Sequence, residues 1–252
     1  MCYTVAYLTK RKITYARRAG ADEAEILELE QQLEEITTGQ PPMFHVSGFT
    51  HPKLLCFHRD DGPRFELLRW GLIPHWVKDH AQAAELSRRT LNARGETLFE
   101  KPAFREAARH RCLILVDGFF EFHHLGKRSF PYHIRARDGG PIALGGVRSI
   151  WRDPGTGELT GTVSIVTTVA NVEMARIHNN PKADGPRMPF ILPKAMDAAW
   201  LSPDTDAEHA AALIQPYADE LLEHYTVPPL LGRQAIGNVS AALEPFPYME
   251  LL

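Results

Sequence analysis

Short apolar runs separated by turn-forming residues occupy most of this chain, and they are the feature that most restricts its fold. Each run is rich in β-branched and aromatic residues and ends at Gly, Pro, Asn or Asp, as strands do. Strands that follow one another without long crossovers are typical of antiparallel sheets. We predict strands in HVSGF, KLLCF, FELLRWGLI, CLILVDGFFEF, YHIRAR, IALGGV, TVSIVTT and MPFIL, with a last strand near 225–227. The pattern favours an α+β fold with curved, mostly antiparallel sheets.

Helical periodicity is clearest in an acidic segment near the start of the chain. Apolar residues recur at Ile26, Leu29, Leu33 and Ile36, with spacings of three, four and three, which predicts an amphipathic helix that begins near Asp22. We interpret residues 21–38 as a peripheral acidic helical insertion in a single domain that spans residues 1–252. Further helices are predicted at 80–89, 104–109 and 170–177, and one or two helices are predicted at 196–214.

The overall charge argues against indiscriminate binding to nucleic acid. The chain has 28 Lys and Arg against 31 Asp and Glu, a net charge of −3, so a nucleic-acid partner requires a local basic surface. Candidates, each also compatible with an ordinary solvated charge, are Arg88, Arg89, Arg94, Lys101, Arg105, Arg109, Arg111, Arg148 and Arg152. No signal peptide or membrane-spanning run is visible. We expect a monomeric, cytoplasmic protein with no membrane partner, associated with the nucleoid when it is bound to DNA.

Three cysteines, Cys2, Cys56 and Cys112, are widely spaced and form no C-x-x-C pair. Neither a disulfide framework nor a zinc ribbon is indicated, and we expect no metal and no cofactor. A metal site built from His45, His51, Cys56 and His58 is a weaker alternative, because histidines along short strands seldom converge without a recognisable ligand pattern.

Cys2 follows an initiator methionine that methionine aminopeptidase is expected to remove. The mature chain would then begin with an amine of pKa about 7.7–8.0 beside a thiol of pKa about 8.5. Such a 1,2-aminothiol captures an aldehyde twice, first as an imine and then as a five-membered thiazolidine ring. The plain alternative is a small residue at a frayed chain end.

Four segments combine polar groups with an apolar or turn-forming frame: WGLIPHW at 70–76, NARGET at 92–97, RCLILVDGFFEF at 111–122 and IHNNPKADGPRMPFIL at 177–192. Glu121 lies in an apolar strand, which indicates an ion pair or an active-site acid with a shifted pKa. His178 ends a predicted helix before a long loop. In an extended segment Asn92 and Arg94 share a side, where they could clamp a phosphate or sugar; the alternative is a capping Asn and a surface Arg.

Together with the N-terminal MC, these four ordered segments resemble the SOS-response-associated peptidase (SRAP) family, which senses abasic sites in single-stranded DNA. The resemblance runs from Cys2 to about Pro193. It implies a barrel-like fold with peripheral helices. Three features depart from the family's commonest pattern: Tyr3 and Thr4 replace Gly and Arg, Phe122 replaces Trp, and eight residues separate His178 from Arg187. If that stretch bulges outward, His178 keeps its place.

The resemblance implies a role for each site residue. The expected function is a covalent thiazolidine crosslink to a ring-opened abasic site, which shields the lesion during replication or repair. The resemblance also implies lyase-like Schiff-base chemistry and self-cleavage that removes only Met1. In this chemistry Cys2 is the nucleophile, Asn92 orients the sugar, Glu121 is an acid or base, His178 is a proton shuttle and Arg94 holds a phosphate.

Single-stranded DNA also needs aromatic stacking surfaces beside basic residues. Trp70 and Trp76 are the candidates, although each could equally lie in the core, and for Trp70 the core is the favoured position. Phe49 with Pro52 offers a further part of a groove. Two other functions remain open. One is an N-terminal-cysteine amidohydrolase or peptidase that does not act on DNA, and the other is a DNA-binding module in which Cys2 is incidental.

Overall fold

A computed structural model describes residues 2–251, so the predicted removal of Met1 lies outside the described residues. The strands are β1 Thr4–Tyr7, β2 Met43–Ser47, β3 Lys53–His58, β4 Arg64–Trp70, β5 Asn92–Arg94, β6 Arg111–Val116, β7 Gly118–Leu125, β8 Arg128–Ala136, β9 Ile142–Arg152, β10 Leu159–Val169, β11 Arg187–Pro189 and β12 Leu222–Thr226. The helices are α1 Lys12–Ala19, α2 Glu23–Thr37, α3 His80–Arg89, α4 Val172–Ile177, α5 Asp197–Leu201 and α6 Ala207–Leu213.

Five strands close into a small barrel in the order β10, β4, β3, β6, β9 and back to β10. Every neighbouring pair is antiparallel except β10 with β4, and β5 and β11 extend the sheet from β10. The closed ring leaves no unpaired edge among its own strands. The predicted α+β fold with curved, mostly antiparallel sheets is confirmed; the two parallel pairings of β10 were not foreseen.

The second sheet has the order β12, β8, β7, β1, β2. It joins the barrel directly, because only Asp117 separates β6 from β7. The Asp117 carboxylate accepts hydrogen bonds from the Tyr15 hydroxyl at 2.7 Å and the Thr9 amide at 2.8 Å, which ties α1 to this junction. The N-terminal strand β1 therefore lies in the interior of the sheet, between β7 and β2.

The acidic segment folds as the periodicity predicts. Asp22 caps α2 by accepting a hydrogen bond from the Glu25 amide, and Leu29 and Leu33 are fully buried. The helix is thus anchored in the main core along one face, although its other face is exposed and acidic. Glu25 binds Arg59 on the β3–β4 turn through two hydrogen bonds of 2.7 and 2.8 Å.

The other predicted elements differ in their extent. The helix at 80–89 is confirmed by α3, whereas 104–109 contains a 3₁₀ turn at Ala107–Arg109 and 196–214 divides into α5 and α6. Within MPFIL the strand β11 covers only Met188 and Pro189. Strand β1 and helix α1 were missed, because their apolar patterns are too short to separate from a frayed terminus. Within residues 2–251, no helix combines the length and apolar character needed to cross a membrane.

Candidate active site

Cys2 lies two residues before the start of β1, which pairs with β7, the strand that carries Glu121. Val5 pairs with Phe119 and Ala6 with Gly118, and extending that antiparallel register by two residues places Tyr3 opposite Glu121. Cys2 is fully buried and Glu121 is only 4% exposed. The sheet thus brings together the thiol and the carboxylate that the sequence singles out.

Asn92 and Arg94 lie on β5, which pairs in parallel with β10. Because β5 is extended and the buried Ala93 lies between them, the two side chains share a face of the strand. The Asn92 amide nitrogen and oxygen are both buried and form no hydrogen bond with any residue in 2–251. Arg94 donates to the Asp184 carboxylate at 2.9 Å.

His178 ends α4, and the stretch that follows it does bulge outward. The chain returns at Arg187, whose backbone amide donates to His178 Nδ1 at 2.9 Å. Since Nδ1 accepts that hydrogen bond, neutral His178 carries its proton on Nε2. The imidazole is held beside β11 despite the eight intervening residues.

A pocket of about 530 Å³ unites three of the predicted site residues. Arg94, Glu121 and His178 line it, together with Tyr3, Thr4, Ser47, Phe49, Phe120, Phe122, His124, Ser129, Asn180, Lys182, Ala183, Asp184, Gly185, Arg187 and Leu231. Three cations, Arg94, Lys182 and Arg187, line the pocket, and Glu96 neutralises Arg187 through two hydrogen bonds of 3.0 and 2.8 Å. Arg94 and Lys182 are therefore the cations of the pocket that an anionic ligand can engage.

A larger cavity of about 1240 Å³ contains none of the residues predicted to act on the sugar, although it is lined by four candidates for a basic surface, Arg105, Arg109, Arg111 and Arg148. Its central charges satisfy one another, because Asp60 pairs with both Arg148 and His110. Residues 2–251 hold no group of three or more His, Cys, Asp or Glu placed to bind a metal ion, so the alternative built on His45, His51, Cys56 and His58 gains no support. The smaller pocket beside Cys2 remains the candidate site.

Burial controls the protonation of the site. It raises the pKa of the Cys2 thiol, with the Glu121 carboxylate reinforcing the effect, so the thiol is protonated at neutral pH. Burial also raises the pKa of Glu121 to about 7. Desolvation lowers the pKa of His178 to about 4, which keeps the imidazole neutral. Near neutral pH the pocket thus contains a carboxyl that can both accept and release a proton.

The two tryptophans that were predicted to contact DNA do not line this pocket. Trp70 is fully buried, and its indole N–H donates to the Leu91 carbonyl at 2.8 Å. A stacking role for Trp70 is therefore wrong: the ring supports the strand residue that precedes Asn92. Trp76 is 40% exposed but is absent from the pocket lining.

Other aromatic residues take the place at the pocket that the tryptophans were expected to fill. Phe49 is 57% exposed and its ring centroid lies 5.0 Å from that of Tyr3. Phe49 was a minor candidate, but Tyr3 was noted only as a departure from the family pattern. Its position next to Cys2 was the available signal, since a residue beside the nucleophile on a strand must lie near the site. Lys182 and Arg187 were missed as pocket cations.

The model of the SOS response associated peptidase (SRAP) family matches residues 1–234 of this chain. The chain belongs to the SRAP family. The resemblance drawn from the four motifs is confirmed, and the match extends past them to the last strand, β12.

Two similar proteins are named abasic site processing proteins. The abasic site processing protein YoqW of Bacillus subtilis is 37% identical over 172 residues, which cover 67% of this chain and 71% of YoqW. The abasic site processing protein YMR114C of Saccharomyces cerevisiae is 31% identical over 184 residues, 70% of this chain and 46% of that protein. A crystal structure of a protein from Bacteroides thetaiotaomicron has a TM-score of 0.82 at 30% identity and covers 97% of this chain and 100% of its own.

Proposed function

We propose that this SRAP protein captures ring-opened abasic sites in single-stranded DNA through a covalent thiazolidine bond to Cys2. The observation that carries the proposal is the placement of the buried Cys2 beside Glu121, which lines a pocket together with His178 and Arg94. The names of the relatives YoqW and YMR114C, both abasic site processing proteins, support the same class of substrate. The protein acts as a monomer on DNA in the cytoplasm and nucleoid.

The amine of Cys2 reacts before the thiol. Removal of Met1 frees the α-amine, which attacks the C1′ aldehyde of the opened sugar to form a carbinolamine. Loss of water gives an imine. The thiol then adds to the imine carbon, and its proton passes to the nitrogen as the ring closes. This order fits a buried thiol whose pKa is raised, because it is a poor nucleophile until the imine is beside it.

Glu121 handles the protons of these steps. As a carboxylate it accepts a proton from the α-ammonium, which leaves the neutral amine free to attack, and as an acid it returns one to the departing hydroxyl of the carbinolamine. A pKa of about 7 suits both duties, because comparable amounts of each form exist near neutral pH.

His178 and Asn92 act on the sugar itself. With Nδ1 occupied by the Arg187 amide, His178 offers its Nε2–H to the ring oxygen whose bond to C1′ breaks on opening. The buried amide of Asn92 supplies a donor and an acceptor for the sugar hydroxyls, without giving up a hydrogen bond to another described residue.

The strand is bound by charge and stacking. Arg94 and Lys182 provide cations for phosphates, and the paired rings of Tyr3 and Phe49 offer a surface for a neighbouring base. A flexible single strand can turn its sugar into the pocket without the cost of opening base pairs.

The test mixes purified protein with a single-stranded oligonucleotide that has one abasic site, and separates the products by denaturing electrophoresis without borohydride. Mass spectrometry first establishes that Met1 is absent. We expect a shifted band only for the wild type with abasic DNA, and none for Cys2→Ala or for undamaged DNA. No band from protein that lacks Met1 would overturn the proposal and favour an amidohydrolase, whereas a band retained by Cys2→Ala would show that the stable bond does not need the Cys2 thiol.

A further inference from the structure

The loop of residues 179–186 forms one wall of the pocket and is tied down at both ends. At its start, the Asn179 side chain accepts from the His124 amide at 2.6 Å and donates to the His124 carbonyl at 3.0 Å. At its end, the Pro186 carbonyl accepts from the Ala170 amide at 3.3 Å. The two anchors fix where the loop leaves and rejoins the body of the protein.

The middle of the 179–186 loop has a single polar tie to that body. Asn180 accepts hydrogen bonds from the Lys182 and Ala183 amides, which only fold the loop on itself. Among the hydrogen bonds and ion pairs of residues 2–251, the one that joins residues 180–185 to the rest of the chain is Arg94 to Asp184, at 2.9 Å. The position of the loop over the pocket therefore depends on this pair.

Arg94 can pair with Asp184 because Glu96, the carboxylate nearer to Arg94 in the sequence, is already bound to another arginine. Glu96 accepts two hydrogen bonds from the guanidinium of Arg187, at 3.0 and 2.8 Å, and Arg187 is buried. Asp184 in contrast meets Arg94 through one nitrogen only and is 83% exposed. Exposed single-point pairs are weak, whereas a phosphate can bind a guanidinium through two oxygens.

We propose that the Asp184 carboxylate occupies Arg94 as an internal substitute for a DNA phosphate, and that the bound strand displaces it and releases the 179–186 loop. Asp184 is thereby a specificity-determining residue, since only a ligand with an anion at that position compensates for the lost pair. The inference rests on the proposed function, in which Arg94 holds a phosphate.

The expected effects follow from the charge balance. Asp184→Asn leaves Arg94 unneutralised, so single-stranded DNA should bind about 2- to 5-fold more tightly at low salt, the range of an exposed ion pair. In this variant Arg94 can bind a phosphate without first giving up its ion pair with Asp184. The slope of log K against log salt should therefore become steeper by up to about 0.7. In an Arg94→Ala background, Asp184→Asn should change neither quantity.

The experiment measures fluorescence anisotropy of a labelled single strand that contains tetrahydrofuran, an abasic analogue without an aldehyde, so that binding is seen without crosslinking. Wild type, D184N, R94A and R94A/D184N are titrated at several salt concentrations. Asp61→Asn is the matched control, because it removes the same charge from an exposed position outside this pocket. Each phosphate beside the lesion is then replaced in turn by a neutral methylphosphonate. The replacement that abolishes the tighter binding of D184N identifies the phosphate that Arg94 binds.

The outcomes separate two failures. If the wild type binds the strand but D184N binds no more tightly than D61N, or gains equally in the R94A background, the role of Asp184 is overturned and the proposed function stands. If the wild type neither binds this strand nor crosslinks to abasic DNA, the role of Asp184 and the proposed function are both overturned. Tighter binding by D184N, lost in R94A and at one methylphosphonate, supports the displacement.

Discussion

At the scale of single residues, the amine and thiol of Cys2 are distinguishable by substitution. Cys2→Ser keeps the amine but replaces the thiol with a hydroxyl, which closes the ring far less readily. We expect C2S to form an imine that hydrolyses on denaturation, so that a crosslinked band appears only after borohydride reduction. A stable band without borohydride would contradict thiol closure, and its absence even with borohydride would contradict attack by the amine.

Glu121 links the chemistry of the site to the stability of the fold. Its pKa rises from 4.5 to about 7 because it is buried, so the folded protein holds a proton that the unfolded chain releases. The stability contributed by the protonated group is fully present below pH 4.5 and is lost as the pH rises through 7. In Glu121→Gln the neutral amide avoids this loss. We expect the unfolding free energy of E121Q to exceed that of the wild type by about 1–3 kcal/mol at pH 8, with the difference shrinking towards pH 4.

Urea denaturation between pH 4 and pH 8 measures this difference. Glu220→Gln, at an exposed position, is the control and should follow the wild type throughout. If E121Q and the wild type run parallel over the whole range, the carboxyl does not titrate as argued. The same variant should crosslink at least about 100-fold more slowly, the usual contribution of a general acid or base, and an unchanged rate would remove Glu121 from the mechanism.

Asn92 is a second case in which function opposes stability. Its buried amide forms no hydrogen bond with the described residues, so Asn92→Leu, of similar size, removes no such bond and adds apolar contact. We expect an unfolding temperature equal to or above that of the wild type, with crosslinking reduced at least about 10-fold by the loss of one or two hydrogen bonds to the sugar. Calorimetry and the electrophoretic assay measure the two effects. A large fall in unfolding temperature would show that Asn92 has a structural role instead.

At the scale of elements, the acidic helix α2 is more than a surface addition. Leu33 is fully buried in the main core, whereas Leu27 on the same helix is 60% exposed. We expect Leu33→Ala to lower the unfolding free energy by about 2–5 kcal/mol, the cost of a cavity in a packed core, and Leu27→Ala to change it by less than about 0.5 kcal/mol. Urea denaturation measures the unfolding free energy of the two variants. Equal effects of the two substitutions would mean that α2 is not packed into the main core.

Periodicity predicted the elements that carry their own signal. The spacing of Ile26, Leu29 and Leu33 with the cap at Asp22 was sufficient for α2, because a helix is specified by neighbours three and four residues apart. Strand β1 has no such local signal. It is a strand only because β2 and β7 pair with it on both sides, and these partners lie 36 or more positions away in the sequence.

Trp70 and His178 show the same limit of local sequence pattern for predicting the candidate site. An indole in an apolar strand looks alike whether it faces DNA or the core, and only the hydrogen bond from Trp70 to the Leu91 carbonyl assigns it to the core. The position of His178 depended on the course of the following loop, which local pattern leaves open. Chemical type identified Glu121, since an acid in an apolar strand needs a special environment.

At the scale of the whole molecule, the barrel closes where β9 meets both β6 and β10, and β9 carries two adjacent glycines there. A Cβ on Gly145 would overlap the ring of Phe190, which packs edge to face on Trp200 with centroids 5.2 Å apart. The backbone amide of Gly145 also donates to the Phe190 carbonyl at 2.8 Å. No side chain can be accommodated at this point without moving the chain that follows β11.

We therefore expect Gly145→Ala to lower the unfolding free energy by about 1–3 kcal/mol through overpacking. Gly155→Ala is the matched control, because its Cβ would make only an ordinary contact of 3.4 Å with Asp153. Phe190 directly follows β11, which begins at Arg187 and lies beside His178. A displacement of Phe190 should therefore also reach the pocket and slow crosslinking by the folded protein. Urea denaturation and the electrophoretic assay test both effects. A fully stable G145A would mean that Phe190 can move aside and that barrel closure does not fix the active-site wall.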